Sequence, residues 1–85
     1  MWIRSQYGNI LMDCDFLAVE DHGSKYEVIT LSGKSGISIG LGTYSTKEKA
    51  LRVLDGIQNQ IEYKNIEVHQ MPQDEDVEVW QKKNY

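Results

Sequence analysis

The chain of 85 residues has little that would interrupt or staple a fold: one proline, one cysteine and one phenylalanine. A lone cysteine, Cys14, excludes an internal disulfide framework and suits a reducing cytoplasm. A single proline beside seven glycines argues against a disordered or fibrous chain. No segment approaches the roughly 18 apolar residues of a membrane-spanning helix, and no long apolar run follows the opening Met-Trp-Ile-Arg-Ser as it would in a secretion signal. A soluble cytoplasmic protein without membrane contact is expected. Basic residues are also scarce, nine Lys and Arg against thirteen Asp and Glu, for a net charge of −4. Nucleic-acid binding draws its affinity from cationic contacts to phosphate, so no nucleic-acid partner is expected.

What is present is ordinary globular composition, 40 % hydrophobic and 26 % charged. A chain this short buries only about 60–65 % of its unfolded surface, which supports one core. The expected class is α+β: an antiparallel β-meander of four to five strands packed on one helix, forming a single domain over residues 1–72. Residues 73–85 form an acidic-then-basic tail, in which Asp74, Glu75, Asp76 and Glu78 precede Lys82 and Lys83. Val77, Val79 and Trp80 make that tail too apolar to be wholly solvated; it docks on its own sheet or on a neighbour.

Local patterns place the elements. Trp2 to Ser5 reads as a strand, followed by a turn at Gly8-Asn9. From Ile10 the chain alternates, putting Ile10, Met12, Cys14, Phe16 and Ala18 on one face of a strand and Asp13 and Asp15 on the other. Asp21-His22-Gly23-Ser24 is a turn, with Gly23 at its left-handed position. Lys25 to Ser32 returns as a strand, and Ile37, Ile39 and Leu41 alternate with Ser38, Gly40 and Gly42. Such small partners require that something lie close over the second face, or that the strand bulge. Ser45-Thr46-Lys47-Glu48 matches a capping box that starts a helix over Thr46 to Ile61. Its apolar stripe is Ala50, Leu51, Leu54, Ile57 and Ile61, and Gly56 marks a close approach. A last strand near Ile66 to Met71 is stopped by Pro72.

The glycine-rich run Leu31 to Thr46 raises phosphate binding as a question. Gly33-Lys34-Ser35 fails as a Walker A loop, because Val28 stands where the first glycine belongs and a strand follows instead of a helix. Gly40-Leu41-Gly42-Thr43-Tyr44-Ser45 imitates a dinucleotide fingerprint but has Ser45 as its third glycine. Turns and a helix cap explain the run better, and no cofactor is expected. A metal centre would have to recruit Cys14, His22, His69, Asp13 and Asp15, which have no recognised ligand spacing, so no metal is expected. No serine or cysteine has a nucleophile signature, and the reading is non-enzymatic. What remains is an aromatic and cationic set: Trp2, Arg4, Tyr7, Tyr26, Tyr44, Tyr63 and Trp80. Trp2 and Arg4 share a strand face, a pairing that suits a nucleobase or a protein hot spot.

The stretches MWIRSQ, LGTYSTKEKALRVLDGIQ and HQMPQDE together resemble a group of short phage and prophage proteins of Gram-positive bacteria, over nearly the whole chain. That resemblance transfers no catalytic residues. It implies an accessory protein of the bacterial host cytoplasm, in a setting where small proteins counter bacterial immunity. The leading expectation is a homo-oligomeric sponge that sequesters a nucleotide second messenger, with Trp2, Arg4, Lys34 and Tyr44 as ligand-binding residues. The alternatives are a protein-interaction module that masks a host defence enzyme through its acidic tail or exposed sheet, and a phage structural accessory.

Overall fold

A computed structural model describes residues 1–33 and 35–78, so Lys34, Val79 and Trp80 lie outside the described residues. The class is α+β: among the described residues there are six strands in two sheets and a single α-helix. In chain order they are β1 (Trp2–Arg4), β2 (Leu11–Asp13), β3 (Ala18–Asp21), β4 (Tyr26–Ser32), β5 (Ile37–Tyr44), α1 (Lys47–Glu62) and β6 (His69–Gln70). One sheet has the order β2-β1-β6, with β6 parallel to β1; the other is the antiparallel meander β3-β4-β5.

The expected single meander is therefore divided, and the division falls inside the alternating run from Ile10 to Ala18. The ladder with β1 ends where Cys14 N–H reaches Met1 C=O at 2.8 Å, and from Ala18 onward β4 takes over as partner. The inward alternation survives through Met12 and buried Cys14, then breaks. Phe16, expected on the apolar face, is 49 % exposed, and Leu17 packs against the core in its place.

The glycine pair of β5 has a concrete cause. Val28 pairs with Gly42 and Ile29 with Gly40, leaving Leu41 as the extra residue of a β-bulge whose side chain is fully buried. The second face of the strand is also occupied. A Cβ at residue 42 would stand 2.9 Å from Tyr44 Oη and 3.2 Å from Gln6 Cβ, so only glycine fits without a shift. Gly56 differs: a Cβ there would meet nothing within 4 Å, and the close approach expected at that position does not exist.

The helix begins one residue later than its sequence box indicates. Thr46 Oγ1 is the cap, accepting from Lys49 N–H at 3.1 Å, while Ser45 gives both its N–H and its hydroxyl to Asp74. The stripe rotates with it: Ala50, Val53 and Ile57 are buried and Leu54 packs partly, whereas Leu51 and Ile61 are 42 % and 54 % exposed. The helix lies on the meander, touching β3, β4 and β5. The buried Val53 and Ile57 side chains contribute roughly 1.5–3 kcal/mol each before chain entropy is deducted. The last strand is short, since Ile66 is 97 % and Val68 51 % exposed and only His69–Gln70 pairs with β1. Met71 then turns into the core, and beyond Pro72 a 3₁₀ turn at Asp74–Asp76 carries Val77 into the same cluster.

One buried side chain joins these parts. Gln6, in the turn after β1, takes the Thr43 N–H on its Oε1 at 3.0 Å and gives its Nε2 to the carbonyls of Thr43 and Pro72, both at 3.1 Å. Its backbone N–H reaches Leu41 C=O at 2.7 Å, and its carbonyl accepts from Gln73 Nε2 at 2.9 Å. Gln6→Ala removes three side-chain bonds and orphans Thr43 N–H at a half-buried edge. Urea unfolding should show a loss of about 2–4 kcal/mol, and a loss under about 0.5 kcal/mol would contradict the assignment.

Candidate functional site

Strand β1 has an inner and an outer face. Ile3 points inward opposite Met12 and His69, and is fully buried. Register then places Trp2, Arg4, Leu11, Asp13 and Gln70 on the outer face, and all five are exposed. Trp2 is 50 % exposed and Leu11 47 %. Arg4 is tethered only weakly, its Nη1 donating to Gly8 C=O at 3.4 Å, which leaves most of its donors without a partner among the described residues. Asp13 pairs with the amino terminus at 2.8 Å.

Beside Trp2 the chain leaves a slot of about 360 Å³, lined by Met1, Trp2, Ile61, Asn65 and Ile66 together with the charged Lys64 and Glu67. The slot lies beside the C-terminal end of the helix. Asn65 N–H bonds back to Gln60 C=O and Lys64 N–H to Ile61 C=O, a Schellman-type closure with Lys64 at φ 55°. Glycine normally fills that left-handed position, and a lysine there holds strain on the order of 1 kcal/mol. Lys64 is the only non-glycine residue with positive φ among the described residues. Strain of this kind concentrates at binding and switch positions. Sequence reasoning passed over Lys64 and Asn65; the available signal was a helix end, Tyr63-Lys64-Asn65, with no glycine to close it.

The four residues expected to bind a ligand are thus not one constellation. Trp2 and Arg4 share the outer face of β1. Tyr44 is a correction: its ring is 1 % exposed and its hydroxyl donates to Pro72 C=O at 2.8 Å, so it is a core residue and cannot stack on a ligand. Burial pushes its hydroxyl pKa up. Lys34 lies outside the described residues. Cys14 is buried, which raises its thiol pKa despite a hydrogen bond from Thr30, and makes it a poor nucleophile. After Gly36 comes strand β5, where a phosphate loop requires a helix.

A larger groove, about 600 Å³, runs between α1 and the segment after β6. Arg52, His69, Gln70, Glu75, Asp76 and Glu78 are among the residues that line it. Three carboxylates against one guanidinium repel a phosphate-bearing ligand, so size alone does not make this groove the site. Its walls are well defined. Gln60 gives Nε2 to Glu67 C=O at 2.7 Å and turns Oε1 to His69 Nδ1 at 2.9 Å, so Nδ1 carries the proton and Nε2 is left as a buried lone pair with no partner among the described residues. The opposite wall is anchored by Asp74, which accepts from Ser45 N–H at 2.9 Å and Ser45 Oγ at 3.2 Å and lies 3.5 Å from Lys49 Nζ.

No protein-family model matches the chain, and no curated protein or solved structure is detectably similar to it. Among the described residues, no helix is long and apolar enough to cross a membrane.

Acid should weaken the fold in two windows. Burial lowers the His69 pKa from 6.5, so below pH 6.5 the unfolded chain takes up a proton that the folded chain refuses, and stability declines until the folded-state pKa is passed. The Ser45 N–H, then its hydroxyl and Lys49, hold Asp74 below 3.8; the stability it contributes is present above that value and lost as pH falls through the lower folded-state pKa. Urea midpoints followed from pH 7 to pH 3 should lose the upper window in His69→Gln and the lower one in Asp74→Asn.

Proposed function

We propose that this chain is a non-enzymatic binding protein that sequesters a nucleotide second messenger. The observation that carries the reading is the half-exposed Trp2 indole lining a slot of about 360 Å³ together with positive-φ Lys64, with Arg4 on the same strand face as Trp2. A nucleobase stacks on the indole, since every base offers a π-face and stacking is worth about 1–3 kcal/mol. Lys64 and Arg4 supply the cationic contacts to phosphate, and the Asn65 amide nitrogen, whose partner oxygen already accepts from Glu67 N–H, is free to donate to the base edge. The volume lies at the small end of the range for ligand sites.

The protein works as a homo-oligomer in this proposal. The outer face of the β2-β1-β6 sheet presents Trp2 and Leu11 with no layer over it among the described residues, and a second subunit would enclose a bound nucleotide. In keeping with the phage and prophage resemblance, the setting is the cytoplasm of a bacterial host and the purpose is counter-defence. A second reading has its own support. Tyr63 is 83 % exposed and Ile66 97 % exposed next to the slot, and exposed aromatic and aliphatic groups around a tryptophan suit a protein hot spot, as in a module that masks a host defence enzyme.

Calorimetry with cyclic dinucleotides and ADP-ribose derivatives tests the first reading. Saturable binding is expected, weakened at least about tenfold by Arg4→Ala and by Trp2→Ala, or about 1.4 kcal/mol each. Absence of heat with every member of the panel overturns it. A host protein captured by the wild type and released by Trp2→Ala would establish the second reading instead.

A further inference from the structure

The β3–β4 hairpin carries a feature unrelated to the Trp2 slot. Antiparallel register sets Glu20 directly opposite Glu27, and like charges in that relation destabilise a sheet. The hairpin turn then brings His22 over the pair. Its Nε2 lies 3.3 Å from Glu20 Oε1 and 3.2 Å from Glu27 Oε1, and one ligand atom from each residue falls within 4.8 Å of the other two. Glu27 reaches this position by folding its carboxylate across β5 at Gly40, where any Cβ would overlap Oε2.

Two explanations for this convergence differ in what lies at its centre. One N–H on Nε2 can point at one carboxylate oxygen, so a histidine alone leaves the second carboxylate to solvent and the repulsion between the two in place. A metal ion takes a lone pair from all three. The spacing fits that role: tetrahedral zinc with bonds of about 2.0–2.1 Å needs donors about 3.3–3.4 Å apart, close to both histidine–carboxylate distances. Nitrogen in the donor set selects a borderline transition metal over magnesium or calcium, which take oxygen ligands. Three protein ligands leave a fourth position, and the exposure of His22 and Glu20, 41 % and 43 % of their side chains, opens it to solvent.

We propose that Glu20, His22 and Glu27 form a zinc-class divalent metal site at the tip of the β3–β4 hairpin, with one coordination position open. The ion neutralises the opposed carboxylates and clips the turn to both strands. Its charge then becomes the largest local one on that end of the meander. The two-residue spacing Glu20-x-His22 was readable in the chain, but Glu27 joins only through the strand register.

Titration of the purified full chain with Zn²⁺ after chelator treatment tests the site. One ion per chain is expected, with a rise of more than about 5 °C in Tm at saturating metal. Co²⁺ should give the strong visible absorption of a tetrahedral centre. Both signals should disappear in His22→Ala and fall at least tenfold in affinity in Glu27→Gln; these residues are exposed or half-buried, and circular dichroism of the metal-free variants should match the wild type. Binding unchanged in His22→Ala overturns the proposal, because the ion then lies elsewhere. Absence of binding, or equal binding of Mg²⁺ and Zn²⁺, overturns it as well.

Discussion

Two small sheets become one body through the buried amide of Gln6. Neither sheet has enough surface to stand alone: the β2-β1-β6 sheet is built from strands of three, three and two residues, and three-stranded sheets need a packed face to persist. Gln6 mimics a strand along the outer edge of β5. Its backbone N–H bonds Leu41 C=O, and its side-chain amide supplies the next pair of bonds to Thr43. The same amide reaches Pro72, whose carbonyl also receives the Tyr44 hydroxyl, so the segment after β6 is pinned by two donors at one point. Gly42 is the geometric condition for this arrangement, because it clears the space that Gln6 and Tyr44 fill.

This constraint accounts for where sequence reasoning succeeded. Locally determined features were legible: the class, the strand–turn–strand rhythm from Lys25 to Leu41, the helix body and the glycine signal in β5. The glycines were read as needing either a bulge or a close neighbour, and β5 has both. Non-local features were not legible. Nothing in the Ile10-to-Ala18 alternation says that the partner strand changes after Cys14, and the capping box at Ser45 looks complete until Asp74, 29 residues away, claims the serine. The helix stripe was misplaced for the same reason: Leu51 and Ile61 satisfy the spacing, but the meander beneath receives Ala50, Val53 and Ile57.

The candidate site shows the same division. That Trp2 and Arg4 share an exposed face was legible because residues two apart on a strand point the same way, which is a local rule. Tyr44 was misassigned because an aromatic in a glycine-rich exit turn looks available, whereas its hydroxyl is held by Pro72 far along the chain. Lys64 and Asn65 were passed over because what sets them apart is a backbone conformation. The core and the candidate site therefore occupy different sides of β1: Ile3 faces the core that Gln6 closes, and Trp2 lines the slot beside the helix end.

Backbone amide exchange measured residue by residue tests the central role of Gln6 most directly. If its side chain completes the edge of β5, the Thr43 N–H exchanges only through global unfolding, as slowly as the paired amides of β4. Exchange of Thr43 at the rate of an exposed turn amide, with β4 still protected, would contradict the account.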